Sequence, residues 1–473
     1  MNYFLNKKTA IMVALASISV LLFSPILTRA VIADNTVWEF RATGSNNNGG
    51  GFYNRNPGTS VDYSQQDAAQ LNLTNLATNG AGTGLSSVTG GFTAAMVGNI
   101  INITAGTGFT PGWYEITAYA DTNNVTIDRS AGASASSGTG YIGGARAVPT
   151  DAFFEQLTAG NIVYFKIGTY TLTENIITAS TVGTAADPVV VEGYNSARGD
   201  NPTGDNRPTI VASTYDWRFV GSGNNTYMTF RNLIVTSINS NGAFYLYAYA
   251  TVENCKAIQS SASAYNAFYI ASGFVKIINS EAVSTNGNAI DARGYSEIIG
   301  CYIHDSSVGI YTYGSVILIL HNIIDTCTTG IYGGDTNYFN KAVMNNTIYN
   351  CTTGISVTVA ERGWLVANNI IDSCTTGASW SSEVKNSWWD YNNWHNNGTD
   401  VSNVTKGDNA LALDPQFTDA ANGDFSIGTN LKAQGFLGVF PGSLSTGYLD
   451  VGAAQRQEPG IPGIKIKGGV KIK

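Results

Sequence analysis

Two sets of residues carry the types from which sugar chemistry can be built. In the string Asn288-Ala289-Ile290-Asp291-Ala292-Arg293, an extended chain turns Asp291 and Arg293 to one face, because side chains alternate along a strand. Tyr245, Tyr269, Tyr311 and Tyr332 each follow a small residue and then an apolar one, as Asp291 does. Tyr247 and Tyr313 stand two residues further on, as Arg293 does. Stacked, these strings form an outward column Tyr245, Tyr269, Asp291, Tyr311, Tyr332, with Arg293 and Tyr313 beside it. Aromatic faces stack on sugar rings, and a carboxylate–guanidinium pair can hold hydroxyls or a uronate. The same pattern equally describes a surface salt bridge among strand-favouring tyrosines.

The second set is His304, Asp325, Tyr349 and Asp372, each just after an interior isoleucine. Stacking makes His304 and Asp325 neighbours and leaves Asp325 and Asp372 two coils, roughly 9–10 Å, apart. That lies near the upper end of the carboxylate separation used by inverting glycosidases, with Tyr349 standing where water and sugar must fit. A solvated polar face is the plain alternative. Trp380, Trp388, Trp389, Tyr391 and Trp394 form a third cluster, a sugar platform or a plug over the last coils. Asp414, Asp419 and Asp424 could ligate Ca²⁺ with backbone oxygens, although their spacing matches no defined loop. No metal site is assigned from cysteine or histidine, since there is no CxxC and no nearby histidine pattern. Nucleophile-elbow, zincin, P-loop and dinucleotide motifs do not occur in a usable context.

These readings require an element that stacks residues about 23 apart, and the sequence supplies one. An anchor of a polar pair before an apolar position recurs at Arg231-Asn232, Asn254-Cys255, Asn279-Ser280, Gly300-Cys301, His321-Asn322, Asn345-Asn346, Asn368-Asn369 and, degenerate, Asn392-Asn393. A small–apolar anchor recurs in step at Ala243, Ala267, Ala289, Gly309, Gly330, Gly354 and Gly377. The period excludes helical repeats, which need a 3.6-residue pattern, and leucine-rich repeats, whose leucines are missing. Short strands with Asn and Gly corners predict an all-β chain, a coil of parallel strands about 40 Å long. Stacked asparagines would bond to one another and to corner backbone groups. Ile234, Ala257, Ala282, Ile303, Ile324, Ile348 and Ile371 would form an interior ladder. Cys255 and Cys301 share the Asn column and Cys327, Cys351 and Cys374 another, which reads as buried spacers. An odd count of five cannot all pair, and a strained bridge between adjacent coils stays open.

The ends and composition bound the rest. Lys7 and Lys8 before an apolar run over residues 10–23 read as a signal peptide, residues 1–33. A cut after Ala30 and an uncleaved anchor are the alternatives. Losing its three cations takes the net charge from −8 to −11, which disfavours nucleic acid and anionic membrane as partners. Charged residues are only 12%, as expected where like charges would otherwise stack in every column. Residues 34–145 read as a small β-rich N-terminal module. It has a short helix from Ser64 through Leu76, strands at 92–97, 100–104, 113–118 and 125–128, and a linker over 130–144. The solenoid spans 146–459, with regular coils at about 226–400 and a closing region at 401–459. A helix at 151–157 would cover its open end. Residues 460–473 form a basic tail, an edge strand guarded by lysines or an attachment signal.

With its early stretch Ala159-Gly160-Asn161-Ile162-Val163-Tyr164-Phe165-Lys166-Ile167-Gly168-Thr169-Tyr170, and its end Asp414-Pro415-Gln416-Phe417 to Asp450-Val451-Gly452-Ala453, the chain resembles the right-handed parallel β-helix, pectate-lyase-like superfamily of secreted proteins. The N-terminal stretch 92–112 resembles modules that precede β-helices in some phage and bacterial surface proteins. The superfamily resemblance implies a right-handed parallel β-helix, a secreted or cell-surface protein, and a polysaccharide partner. In its lyases an Arg or Lys commonly abstracts the proton α to a uronate carboxyl while Ca²⁺ held by acids stabilises the enolate. The resemblance would give Asp291 and Arg293 such parts. Its motifs are fold motifs and do not choose an activity. Three functions follow: polysaccharide binding with or without lyase or hydrolase cleavage, a non-catalytic structural or adhesive role, and a phage-derived receptor-binding module. The narrow spread of coil lengths, about 21–25 residues, leaves little room for loops that would wall a groove.

Overall fold

The computed structural model describes residues 33–178, 183–221, 225–314, 316–334, 339–358, 362–381, 386–432, 434–436 and 450–454. The body of the signal segment and the basic tail lie outside them. Among the described residues three sheets wrap one core, of twelve, ten and ten strands; all are parallel rungs bonded to their counterparts in the next coil except Gly51–Phe52, which pairs antiparallel with Val37–Phe40 at the end of the first sheet. Its coils are the stacked parallel strands that the repeat predicts, and the architecture is the right-handed parallel β-helix that the resemblance implies. One coil runs through Ser296–Ile299 in sheet I, Tyr302–His304 in sheet II and Val308–Tyr313 in sheet III, then returns to sheet I at Ile317–Leu320.

The corners explain the repeat. Between sheets I and II, Asn232, Asn254, Asn279, Gly300, His321, Asn345, Asn368 and Tyr391 all take left-handed backbone, φ 48–66°. Asparagine and glycine accept that conformation at least cost. The next residue points inward, and there Asn322, Asn346, Asn369 and Asn392 form an unbroken ladder. Each side-chain Nδ2 of the first three donates to the Oδ1 of the next, at 2.8–3.0 Å. The same amides donate to Ile298, Ile319 and Val343 carbonyls, satisfying backbone that has left the strand ladder. Two expected alignments need correction by one residue. Val235, not Ile234, lies opposite Ala257, and Trp394 lies opposite Ile371. The corner is Asn232 in the first repeat and Tyr391 in the last. In each of those two places polar residues run together, so either could be taken as the anchor.

Glycine at the second anchor is steric. A Cβ on Gly309, Gly330 or Gly354 would sit 2.5–2.6 Å from the carbonyl oxygen of the glycine in the next coil. All five cysteines are free and buried.

Both ends of the core are stoppered with aromatics. The helix Asp151–Phe154 puts Phe153 edge-on to Trp38 and Phe40, and Phe154 edge-on to Trp217 and Phe219. At the other end Trp364, Trp380, Trp389 and Trp394 pack in series, which identifies the tryptophan cluster mainly as the plug. Only Trp388, at 41%, remains exposed. The closing region lies against sheet II: Leu431 and Val451 cover Ile370, and Phe417 and Phe425 cover Tyr349.

The N-terminal module is a closed barrel of six strands, with its own core of Leu76, Leu85, Ile101, Ile116 and Ile142. Residues 71–76, expected as the end of a helix, lie in strand Leu71–Thr78, and only Tyr63–Gln65 is helical there, as a single 3₁₀ turn. The run 92–97 contains another such turn, Ala94–Met96. The expected linker contains Ser136–Ile142, the strand that closes the barrel between Leu71–Thr78 and Ile100–Thr107. Its Gly138 and Gly140 lie where any Cβ would meet Leu76 within 3 Å, so packing, not slack, selects glycine. Val37–Phe40 belongs to the rod, paired in parallel with Ile162–Lys166. The barrel is therefore an insertion between the first two rungs of sheet I.

Candidate functional site

Sheet III carries the first set of residues in the order expected. Register runs Arg218, Tyr245, Tyr269, Asp291, Tyr311, Tyr332, Ser356, all outward, one per coil. Tyr313 is opposite Arg293. Asp291 and Arg293 meet in a two-pronged pair, Nε to Oδ1 and Nη2 to Oδ2, both 3.0 Å, and Asn266 donates to Oδ2 at 3.2 Å. Asp291 is only 3% exposed, and burial raises its pKa although Arg293 and Asn266 pull the other way. The pair holds the Arg293 guanidinium firmly protonated, its pKa raised first by the bond to Asp291. A protonated, neutralised guanidinium is a poor acceptor for a substrate proton, so the lyase base role fits this geometry badly.

The rings pack on one another, both along a strand and from coil to coil. Tyr311 stacks on Tyr332 at 5.4 Å and 18°, and on Tyr313 at 6.5 Å and 12°. Arg293 lies over Tyr269 at 4.6 Å and Tyr313 at 5.3 Å. Faces expected to receive sugar rings are thus partly covered by neighbours. Tyr332 shares its hydroxyl with Thr358 at 2.8 Å. Burial and the Tyr247 hydroxyl push the Tyr245 phenol up to about 12.

Arg218 escaped the sequence reading because its coil precedes the regular repeat. Its signal is the alternation Trp217-Arg218-Phe219, with buried rings on either side. The guanidinium lies over Tyr245 at 4.4 Å, and Nη2 donates to the Tyr247 hydroxyl at 3.0 Å.

Sheet II carries the second set in register, His304, Asp325, Tyr349, Asp372, and adds His395. His304 does not turn to Asp325. Its Nδ1 meets Asp305 at 2.7 Å and its Nε2 meets Glu281 at 3.2 Å, while Lys256 holds Glu281 at 2.7 Å. Burial opposes the imidazolium, yet Glu281 and Asp305 outweigh it and raise its pKa. Glu281 is brought down to about 2 against the effect of burial by bonds from His304 and Lys256. Asp325 accepts from Tyr302 and Thr326, and burial raises its pKa. Asp372 is buried, with His395 at 3.2 Å and Ser373 at 2.7 Å. The two-carboxylate glycosidase reading meets a steric obstacle here. Tyr349 fills the interval and is itself covered by Phe417 and Phe425.

A polar hollow of about 260 Å³ is lined by Asn286, Asp305, Ser306, Ser307 and Thr326 beside His304. Asp414, Asp419 and Asp424 each accept a bond inside the closing region's own turns. Among the described residues no three of His, Cys, Asp and Glu cluster as a metal site would, and no helix is long and apolar enough to cross a membrane.

No protein-family model and no curated protein sequence matches the chain. Among solved structures, pectate lyase Pel9A is similar over 67% of this chain and 92% of its own, at 13% identity and TM-score 0.41. A rhamnogalacturonan lyase matches over 60% and 91%, at 12% identity and TM-score 0.37. The catalytic domain of a GH87 alpha-1,3-glucanase in complex with nigerose matches over 73% and 87%, at 13% and 0.28. Such identities transfer no residue role.

Proposed function

We propose that this is an exported, glycan-binding β-helix that holds polysaccharide along the outward face of sheet III without cleaving it. The observation that carries the reading is the column of Arg218, Tyr245, Tyr269, Asp291 and Tyr311 on successive coils, with side-chain hydroxyls and one neutralised ion pair facing out. Recognition by hydroxyls at one coil spacing, about 4.8 Å, suits a ligand lying along the rod. The absence of cleavage rests on Arg293 being paired and on Tyr349 standing between Asp325 and Asp372.

The test is retardation of the purified protein in gels containing each of a panel of polysaccharides, with absorbance and reducing ends followed in parallel. Tyr269→Phe removes one hydroxyl and keeps the ring. It should weaken binding by about fivefold, the worth of one hydrogen bond. Unsaturated uronate or new reducing ends would overturn the non-catalytic part. Failure of every polysaccharide to retard the protein would overturn the whole reading.

A further inference from the structure

We infer that Arg218, rather than Arg293, is where the sheet III stripe reads a negative charge, and that the ligand is a largely neutral glycan carrying isolated anionic substituents. The inference rests on the glycan reading above. The two arginines are built alike, each laid over a tyrosine of the adjacent coil, Arg218 at 4.4 Å and Arg293 at 4.6 Å. They differ in charge balance. Arg293 is closed by both oxygens of Asp291. Arg218 has one hydrogen bond, to the uncharged Tyr247 hydroxyl, and its Nε is buried with no partner. Among the described residues no carboxylate lies within ion-pair distance of it. A guanidinium with spare donors, flattened on a ring and half-buried, suits a carboxylate or sulfate oxygen pair.

The surroundings limit how much negative charge the ligand can carry. The chain is acidic, net −8 over its full length, and the stripe offers one uncompensated cation in the six coils from Arg218 to Tyr332. Every further anionic sugar would face Asp291 or the general field without a partner. Three coils, about 14 Å, separate Arg218 from Asp291, so a single charge at Arg218 leaves the next sugars over neutral phenols.

The experiment compares four probes on the intact protein: a neutral β-glucan, the same glucan lightly carboxymethylated, the same lightly sulfated, and a polyuronate. The lightly charged glucans should bind about tenfold or more tighter than the neutral parent, the strength of a charge-assisted bond. The carboxymethyl and sulfate arms say which anion is preferred. Arg218→Gln should bring that ratio to about one, and Arg218→Lys should keep a preference, which separates charge from packing. Asp291→Asn exposes Arg293 as a second cation and should raise affinity for the polyuronate. A ratio unchanged in Arg218→Gln, or tightest binding of polyuronate by the unaltered protein, overturns this inference alone. No binding to any probe overturns it together with the reading it rests on.

Discussion

On the outer face of sheet II the charges answer one another. Lys256, Glu281, His304 and Asp305 form one chain of contacts, and its histidine is protonated more readily than a free one. A raised folded-state pKa stabilises the fold fully below the unfolded value, about 6.5, and the gain is lost as pH rises through the folded value. Thermal midpoints should therefore fall as pH climbs from about 6.5 towards 8, by a few degrees. His304→Gln should flatten that slope, and an unchanged slope would assign it to other groups. The sequence placed Asp291 with Arg293 correctly, since alternation along one strand settles that. It could not show that His304 turns to Glu281 and Asp305 instead of Asp325. Such choices depend on side-chain rotamers and burial, which spacing does not encode.

At the scale of strand and corner, the asparagine ladder is the most consequential element. Asn346 donates to Asn369 and to the Ile319 and Met344 carbonyls, and accepts from Asn322. Asn346→Ala leaves buried polar groups on both sides without partners. Urea titration should show a loss of about 2–4 kcal/mol, beyond what an exposed asparagine would cost. Gly330→Ala should cost a similar amount, because the Gly354 carbonyl stands 2.6 Å from the new methyl. The period and the inward ladder were legible because Ile303, Ile324, Ile348 and Ile371 repeat without interruption. Barrel strands such as Ser136–Ile142 were not: glycine and serine there serve close packing, and their composition matches that of a linker.

Taken as one body, the rod is a continuous core whose ends are its weak points, since each inner coil has two neighbours and each end coil one. Phe153, wholly buried among Trp38, Phe40, Trp113 and Phe154, is the keystone of one stopper. Phe153→Ala should cost about 3–5 kcal/mol and raise amide exchange first in Val37–Phe40 and Ile162–Lys166. Uniform loss of protection along all coils would show that the rod melts as a unit.

The placement of the barrel has a consequence for biogenesis. The first rung, Val37–Phe40, leaves the ribosome more than a hundred residues before Ile162–Lys166, the strand it must lie against. Until the barrel closes and draws those two points together, that rung is mated only on its other side, by the short antiparallel strand Gly51–Phe52, and an open β-edge invites other chains. The inserted barrel is thus a splint: once folded it shortens a long entropic search to a small gap. Refolding of a version with the barrel strands scrambled should end in aggregates seeded at residue 37, while the later coils still assemble from one another.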